Sequence, residues 1–175
     1  MCLSVARLSV PFLLCCLACA FAGCAGYQLG PTNGVIAQEK TIQVNPFVNQ
    51  TLEPHLTDEV TTQLRKQLQR DGTYHLATHG PADIVVSGVI TNYSKLALSF
   101  QPQDTLTVQD YRVSLTAIVT ARDQASGKII LDQPVTGHTL MRVNSILPES
   151  ERQSRPLLAE DLAKSITALL VDGSW

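Results

Sequence analysis

Beyond residue 24 this sequence contains no cysteine. The five cysteines of the chain all lie within the first 24 residues, at Cys2, Cys15, Cys16, Cys19 and Cys24. The rest of the chain therefore has no cysteine pair for a disulfide and no thiolate for a zinc site. It has to be stabilised by a hydrophobic core, which a single domain of this length is large enough to bury.

An excess of one charge is also missing. There are 13 lysines and arginines against 15 aspartates and glutamates, a formal net charge of −2. The basic residues are scattered, apart from Arg65, Lys66 and Arg70 on one predicted helix. Because a nucleic-acid-binding protein carries a basic patch, we expect no nucleic-acid partner.

The residue patterns of common catalytic and metal sites are missing as well. The sequence has no glycine-rich phosphate loop and no nucleophile elbow. His75 and His79 are four residues apart, but they fall on a short predicted strand and a turn. That spacing brings two ligands together on a helix and not on a strand. We therefore predict a protein that is not an enzyme, with no catalytic residue and no metal.

The long apolar run of the sequence is confined to its start. Arg7 precedes an almost unbroken apolar stretch over residues 8–21. The stretch is too short for a comfortable transmembrane helix, and it has the length and flanks of a secretory signal peptide. We predict that residues 1–23 are this signal peptide.

The end of the signal peptide is similar to a bacterial lipobox. Small Ala22 and Gly23 precede Cys24, although Phe21 stands where leucine is usual. The resemblance implies that Cys24 carries a covalent diacylglycerol and an N-acyl chain, with no other cofactor. The alternative is a soluble secreted protein whose cysteine is incidental.

Residues 24–39 have the composition of a tether. They are rich in Gly, Pro, Thr and Asn and show no sustained periodicity. Ala25, and not aspartate, follows Cys24. By resemblance to Gram-negative lipoproteins, this favours a lipid anchor on the periplasmic face of the outer membrane, holding a domain formed by residues 40–175.

Two amphipathic helices are predicted in that domain. The first is capped by Thr51, ends at Asp71-Gly72, and repeats an apolar residue at every fourth position: Leu52, Leu56, Val60, Leu64 and Leu68. The second follows a polar loop over residues 144–155 and carries an apolar side with Leu158, Leu162, Ile166 and Leu169.

The middle of the domain has β patterns. Residues 111–121 alternate, with Val113, Leu115, Ala117 and Val119 on one face and Ile118 as an exception on the other. Further strands are predicted over residues 40–44, 74–77, 84–100 and 128–135, the last ending near Pro134 at a sheet edge. Gly88 predicts a bulge or a close backbone approach. The fold class we predict is α+β, with two helices packed on one face of a roughly four-stranded, mostly antiparallel sheet.

Several segments resemble one family in matching order. They are Gly-Tyr-Gln-Leu at 26–29, Asn-Pro-Phe-Val-Asn-Gln-Thr at 45–51, Ala-Asp-Ile-Val-Val-Ser-Gly at 82–88, Leu-Ala-Glu-Asp-Leu-Ala at 158–163, and Trp175. Together they resemble the lipopolysaccharide-assembly lipoprotein (LptE) family. The resemblance implies a domain at the inner leaflet of the outer membrane that partners an LptD-like β-barrel and helps to assemble it and to deliver lipopolysaccharide.

Basic residues on the open sheet face would suit the phosphates of lipid A, because charge-assisted hydrogen bonds to phosphate are strong. The candidates are Lys95, Arg112 and Arg142, which could instead be solvated strand charges that discourage aggregation. Two other functions stay open: a regulatory lipoprotein of another envelope machine, such as a penicillin-binding-protein activator, and an enzyme or small-ligand carrier.

Overall fold

A computed structural model describes residues 39–143 and 146–172, and the predictions on residues 1–38, on Cys24 and on Trp175 lie outside these ranges. The elements are β1 (Thr41–Val44), β2 (Val48–Asn49), α1 (Leu56–Asp71), β3 (His75–Leu76), β4 (Ile84–Gln101), β5 (Asp104–Asp123), β6 (Ile129–Arg142) and α2 (Leu147–Asp172). Within the described residues, no helix combines the length and the apolar character needed to cross a bilayer.

The sheet is mixed and has six strands. Its order is β3-β1-β4-β5-β6, with β2 pairing separately to β4. The three long strands form an antiparallel meander, whereas β1 and β2 run parallel to β4 and β3 runs parallel to β1. The predicted α+β class with two helices is correct. The roughly four-stranded, mostly antiparallel sheet was inexact. The short strand predicted over residues 74–77 is present as β3, whereas β2 is a two-residue strand that leaves no periodic pattern in the sequence.

A single hydrophobic core lies between the helices and one face of this sheet. On β5 the predicted alternation holds, with its odd-numbered residues from Val113 to Ala121 buried and Ile118 exposed. The helices contribute stripes at four-residue spacing, Leu56, Val60, Leu64 and Leu68 from α1 and Leu158, Leu162, Ile166 and Leu170 from α2. Leu170 and not Leu169 completes the second stripe, since Leu169 is only partly buried.

Helix α1 begins later than the sequence indicates. The apolar spacing placed Leu52 in the stripe, but its side chain is fully exposed. His55 adopts a left-handed backbone with φ 67°, which starts the helix at Leu56. Thr51 does not cap it; its hydroxyl accepts from the N–H of Glu53 at 3.3 Å within the preceding turn. The predicted end is confirmed, because Gly72 at φ 75° donates its N–H to Leu68.

The last strand and the last helix are both longer than predicted. Strand β6 continues through Pro134 to Arg142, which is possible because β6 is the sheet edge and a proline there need not donate to a neighbour. Helix α2 begins at Leu147, where the sequence predicted a polar loop to residue 155, and it contains Pro156. Its first turns bury Ser150 and Ser154 and therefore lack an apolar stripe.

Two glycines mark close approaches. A Cβ on Gly88 would lie 2.2 Å from the ring of Phe47, which is 1% exposed, so the predicted close approach at Gly88 is confirmed. A Cβ on Gly137 would lie 2.5 Å from the backbone nitrogen of Leu162. At Gly137 the obstacle is helix backbone, which cannot rotate away as a side chain can. Strand β6 and helix α2 can therefore pack this closely only around a glycine.

Gly137→Ala should lower the free energy of unfolding by roughly 1–3 kcal/mol, because the added methyl forces β6 and α2 apart. Denaturant unfolding followed by circular dichroism measures the change. Thr136→Val, at the exposed neighbouring position, is the control and should change stability by no more than about 0.5 kcal/mol. Equal stability of the alanine variant and the parent would mean that the close packing of β6 on α2 is not required.

Candidate functional site

The face of the sheet opposite the helices has no covering layer within the described residues. Side chains of β4, β5 and β6 stand there in rungs of three, set by the antiparallel register. Two neighbouring rungs are polar and internally hydrogen-bonded. In one, Ser114 Oγ lies 3.1 Å from Nδ1 of His138. In the other, Thr116 Oγ1 lies 3.0 Å from Oγ1 of Thr136. We call this surface the open face.

The rung next to these is amphipathic. Leu96, Arg112 and Leu140 lie directly opposite one another on the three strands. The leucines are 61% and 67% exposed, and Arg112 is exposed between them. No described residue forms a salt bridge or hydrogen bond with the Arg112 side chain. The rung thus offers one free cation between two apolar side chains, a combination that suits an anionic lipid.

Arg142 lies on the same face, diagonally across from Arg112, but its charge is already paired. Its Nε donates to Asp110 at 2.8 Å, and Ser99 donates to the same carboxyl group. The hydrogen bond from Arg142, and secondarily that from Ser99, holds the pKa of Asp110 below its ordinary value, and the same contact raises the pKa of Arg142. Arg142 is therefore less available to a ligand than Arg112.

Lys95 lies on the opposite, helix-covered face. It is in register with buried Val113, forms a salt bridge with Glu151 of α2, and places its Nζ 5.8 Å from the ring centre of Tyr93. Unbroken alternation along β4 would have put Lys95 on the open face with Arg112. A β-bulge between Ile90 and Asn92 reverses the faces beyond it. The structure thus does not bring the three predicted basic residues together.

A second polar cluster surrounds Lys95 under the first turns of α2. Arg155, with a side chain 12% exposed, lies 3.7 Å from Glu53 and donates to the carbonyl of Pro54 at 3.2 Å. The hydroxyl of Tyr93 and the Nε of Arg155 are buried, and neither has a hydrogen-bond partner among the described residues. No sequence pattern indicated this cluster, because its members come from a loop, a strand beyond a bulge and a helix start that the sequence did not predict.

No three potential metal-ligating side chains come together in the ranges that the structure describes. Among the described residues no carboxylate bonds to the imidazole ring of His138. Asp161 accepts instead from the backbone N–H of His138 at 2.8 Å. The described side chains of the open face are hydrogen-bonding and apolar groups.

Comparison with known families identifies the chain. The family model for LptE, described as lipopolysaccharide-assembly, matches residues 39–172, which is more than half of the sequence. The chain belongs to the LptE family. No protein of curated function matches the sequence significantly.

Solved structures show that the fold found here recurs at low sequence identity. The hypothetical protein CT253 from Chlamydia trachomatis matches with a TM-score of 0.53 and 13% identity over 75% of this chain and 95% of that one. Protein XCC0632 from Xanthomonas campestris matches with a TM-score of 0.57 and 7% identity over 82% and 91%. At such identities these matches indicate a common fold only.

The polar cluster gives Tyr93 an unusual titration. Burial first, and then repulsion by Glu53 and Glu151, raises the pKa of Tyr93 from 10.0 to about 12, against the attraction of Arg155. The pKa of Tyr93 is higher in the folded state than in the unfolded state. The contribution of this shift to the free energy of unfolding is therefore fully present below about pH 10 and is lost as the pH rises towards 12.

A spectroscopic titration of tyrosinate should therefore contain a late step near pH 12 that is absent from Tyr93→Phe. Glu151→Gln should move this step to lower pH, because it removes one of the repelling charges. Tyr111→Phe is the control, since it should leave the late step in place. A Tyr93 that titrates near pH 10 would mean that the cluster is open to solvent.

Proposed function

We propose that this protein is an outer-membrane lipoprotein that partners an LptD-like β-barrel in assembling the barrel and delivering lipopolysaccharide to the outer leaflet. It is anchored by acylated Cys24 on the periplasmic face. The observation that carries the proposal is the LptE family match over residues 39–172. The lipobox-like sequence before Cys24 supports the lipid anchor. The short tether that follows supports a partner at the membrane, because about 15 residues reach at most ~50 Å and hold the domain close to its anchor.

The open face supports a role in handling a phosphorylated lipid. Arg112 has no anionic partner among the described residues and lies between two exposed leucines. A guanidinium group binds phosphate through charge-assisted, often bidentate hydrogen bonds, and leucines can contact acyl chains. Among the three basic residues that the sequence indicated, Arg112 is the one we assign to lipid A phosphate.

The test of the partner is affinity purification of the tagged full-length protein from outer membranes. Recovery of a large β-barrel is the expected result. Recovery of a peptidoglycan synthase would favour the regulatory lipoprotein instead, and recovery of neither would favour a carrier or enzyme.

Cys24→Ala should release the protein from the membrane fraction, because the acyl chains provide its anchor and each buried methylene contributes ~0.8 kcal/mol. Membrane fractionation and the mass of the N-terminal peptide measure the effect. Cys19→Ala is the matched control and should stay membrane-bound with its lipid. Sedimentation of Cys24→Ala with outer membranes would contradict anchoring by acylation.

Arg112→Gln should weaken binding of purified lipopolysaccharide about tenfold, as expected for losing one charge-assisted contact. The full-length protein in detergent is titrated with lipopolysaccharide. Arg122→Gln removes an exposed arginine from the same strand and face, and Arg142→Gln removes the paired one. Both of these variants should bind lipopolysaccharide more tightly than Arg112→Gln does. An equal loss of affinity in all three variants would mean that the effect comes from net charge and not from the position of Arg112.

A further inference from the structure

The first turns of α2 bury no apolar side chain. Among residues 147–155 the buried side chains are those of Ser150 and Ser154, and Leu147 is exposed. Residues 158–171 of the same helix supply its whole apolar stripe to the core. Packing of apolar side chains, more than helix propensity, stabilises a helix within a protein. Residues 147–155, which we call the strap, are therefore held more weakly than the rest of α2.

The two buried serines do not tie the strap to the sheet. The hydroxyl of Ser150 donates to the carbonyl of Ile146 at 3.3 Å, and that of Ser154 donates to the carbonyl of Glu151 at 3.0 Å. Both acceptors belong to the strap or to the residue before it. The serines therefore keep their hydrogen bonds if the strap moves as a unit.

Two charged side chains connect the strap to other elements. Glu151 forms a salt bridge with Lys95 of β4. Arg155 lies 3.7 Å from Glu53 and donates to the carbonyl of Pro54 at 3.2 Å. Among the described residues, no other side chain of the strap forms a hydrogen bond or salt bridge outside α2. Partly exposed ion pairs of this kind contribute little to stability.

Closure of the strap also leaves polar groups without partners. The hydroxyl of Tyr93 and the Nε of Arg155 are buried, and neither has a hydrogen-bond partner among the described residues. A buried polar group without a partner carries a desolvation penalty. Water that enters when the strap lifts relieves this penalty, which lowers the free energy of opening.

Pro156 marks the boundary between the strap and the apolar stripe. It lies inside α2 and has no N–H, so the carbonyl of Arg152 lacks its helical donor. Pro148 removes no helical bond, because the N–H groups of the first turn have no acceptor within the helix. The backbone bonding of α2 is therefore interrupted next to the position where its apolar packing begins.

We propose that the strap opens at Pro156 as one unit while the apolar stripe of α2 stays on the sheet. In the closed state Ser150 and Ser154 line, with Met141 of β6, a groove of about 190 Å³. Met141 is 2% exposed. Opening uncovers Met141 and separates Lys95 from Glu151. The strap thus controls access to a cation and to an apolar side chain on the helix-covered side of the sheet.

Amide hydrogen exchange of the full-length protein in detergent, resolved to single amides, tests the proposal. Residues 151–155 lie beyond the first turn and have helical acceptors, so their exchange requires opening. After correction for intrinsic rates, they should exchange at least about 100-fold faster than residues 158–166, and all at one common rate. Pro156→Ala restores the missing helical bond and should slow them about tenfold. Pro148→Ala is the matched control and should not slow them.

A second pair of variants tests the ionic contact. Glu151→Gln removes the charge that pairs with Lys95 and should speed exchange of residues 151–155 about tenfold. Glu149→Gln is its control, because Glu149 pairs with Arg152 inside the strap and should have a smaller effect. Global destabilisation would also speed exchange of residues 158–166, so the ratio between the two segments is the measured quantity.

Oxidation by hydrogen peroxide reports the uncovering of Met141, which is the only methionine of the sequence besides Met1. Peptide masses should show faster sulfoxide formation in Glu151→Gln and slower formation in Pro156→Ala, in step with exchange of the strap. Equal protection of residues 151–155 and 158–166 would overturn the proposal. So would protection that rises steadily from residue 151 to 155, which indicates fraying of a helix end, or oxidation of Met141 that no strap variant changes.

Discussion

The structure depends on burial of one face of a long three-stranded meander by the two helices that the described residues form. The buried residues of β5 alternate from Val113 to Ala121, and the stripes of α1 and α2 supply the other half of the core. With two helices there is one covered face, so the opposite face has to be compatible with water. Its paired hydroxyls at Ser114, Thr116 and Thr136 satisfy that requirement, while the rung containing Arg112 departs from it by exposing two leucines.

A single β-bulge decides how the charged residues are distributed. Between the register shifts at Ile90/Asn92 and at Ala97/Ser99, β4 turns its odd-numbered side chains towards the helices. Lys95 and Tyr93 thereby join Glu151 and Arg155 in a half-buried cluster that ties β4 to the start of α2. Arg112, on a strand without that shift, stays on the open face. Bulges commonly redirect side chains near functional surfaces. This bulge places Lys95 in a salt bridge with Glu151, whereas Arg112 has no ionic partner among the described residues.

The similarity to the Chlamydia and Xanthomonas structures at 13% and 7% identity indicates that this architecture tolerates almost complete sequence change. In this chain the packing of the helices on the sheet includes a close approach of Gly137 to the backbone of Leu162. Function in such a fold resides in surface features. The amphipathic rung of Leu96, Arg112 and Leu140 is such a surface feature of this chain.

The sequence by itself determined the elements whose periodicity is long and regular. The four-residue stripe from Leu56 to Leu68, the alternation in β5 and the glycine end of α1 follow from local geometry, and the family resemblance is confirmed by the match over residues 39–172. Only the tertiary structure decided the rest. Strand β2, the helical start of α2 with its buried serines, and the face that Lys95 occupies arise from pairing between distant segments. A bulge changes the direction of a side chain without changing the residue types on which a sequence pattern rests.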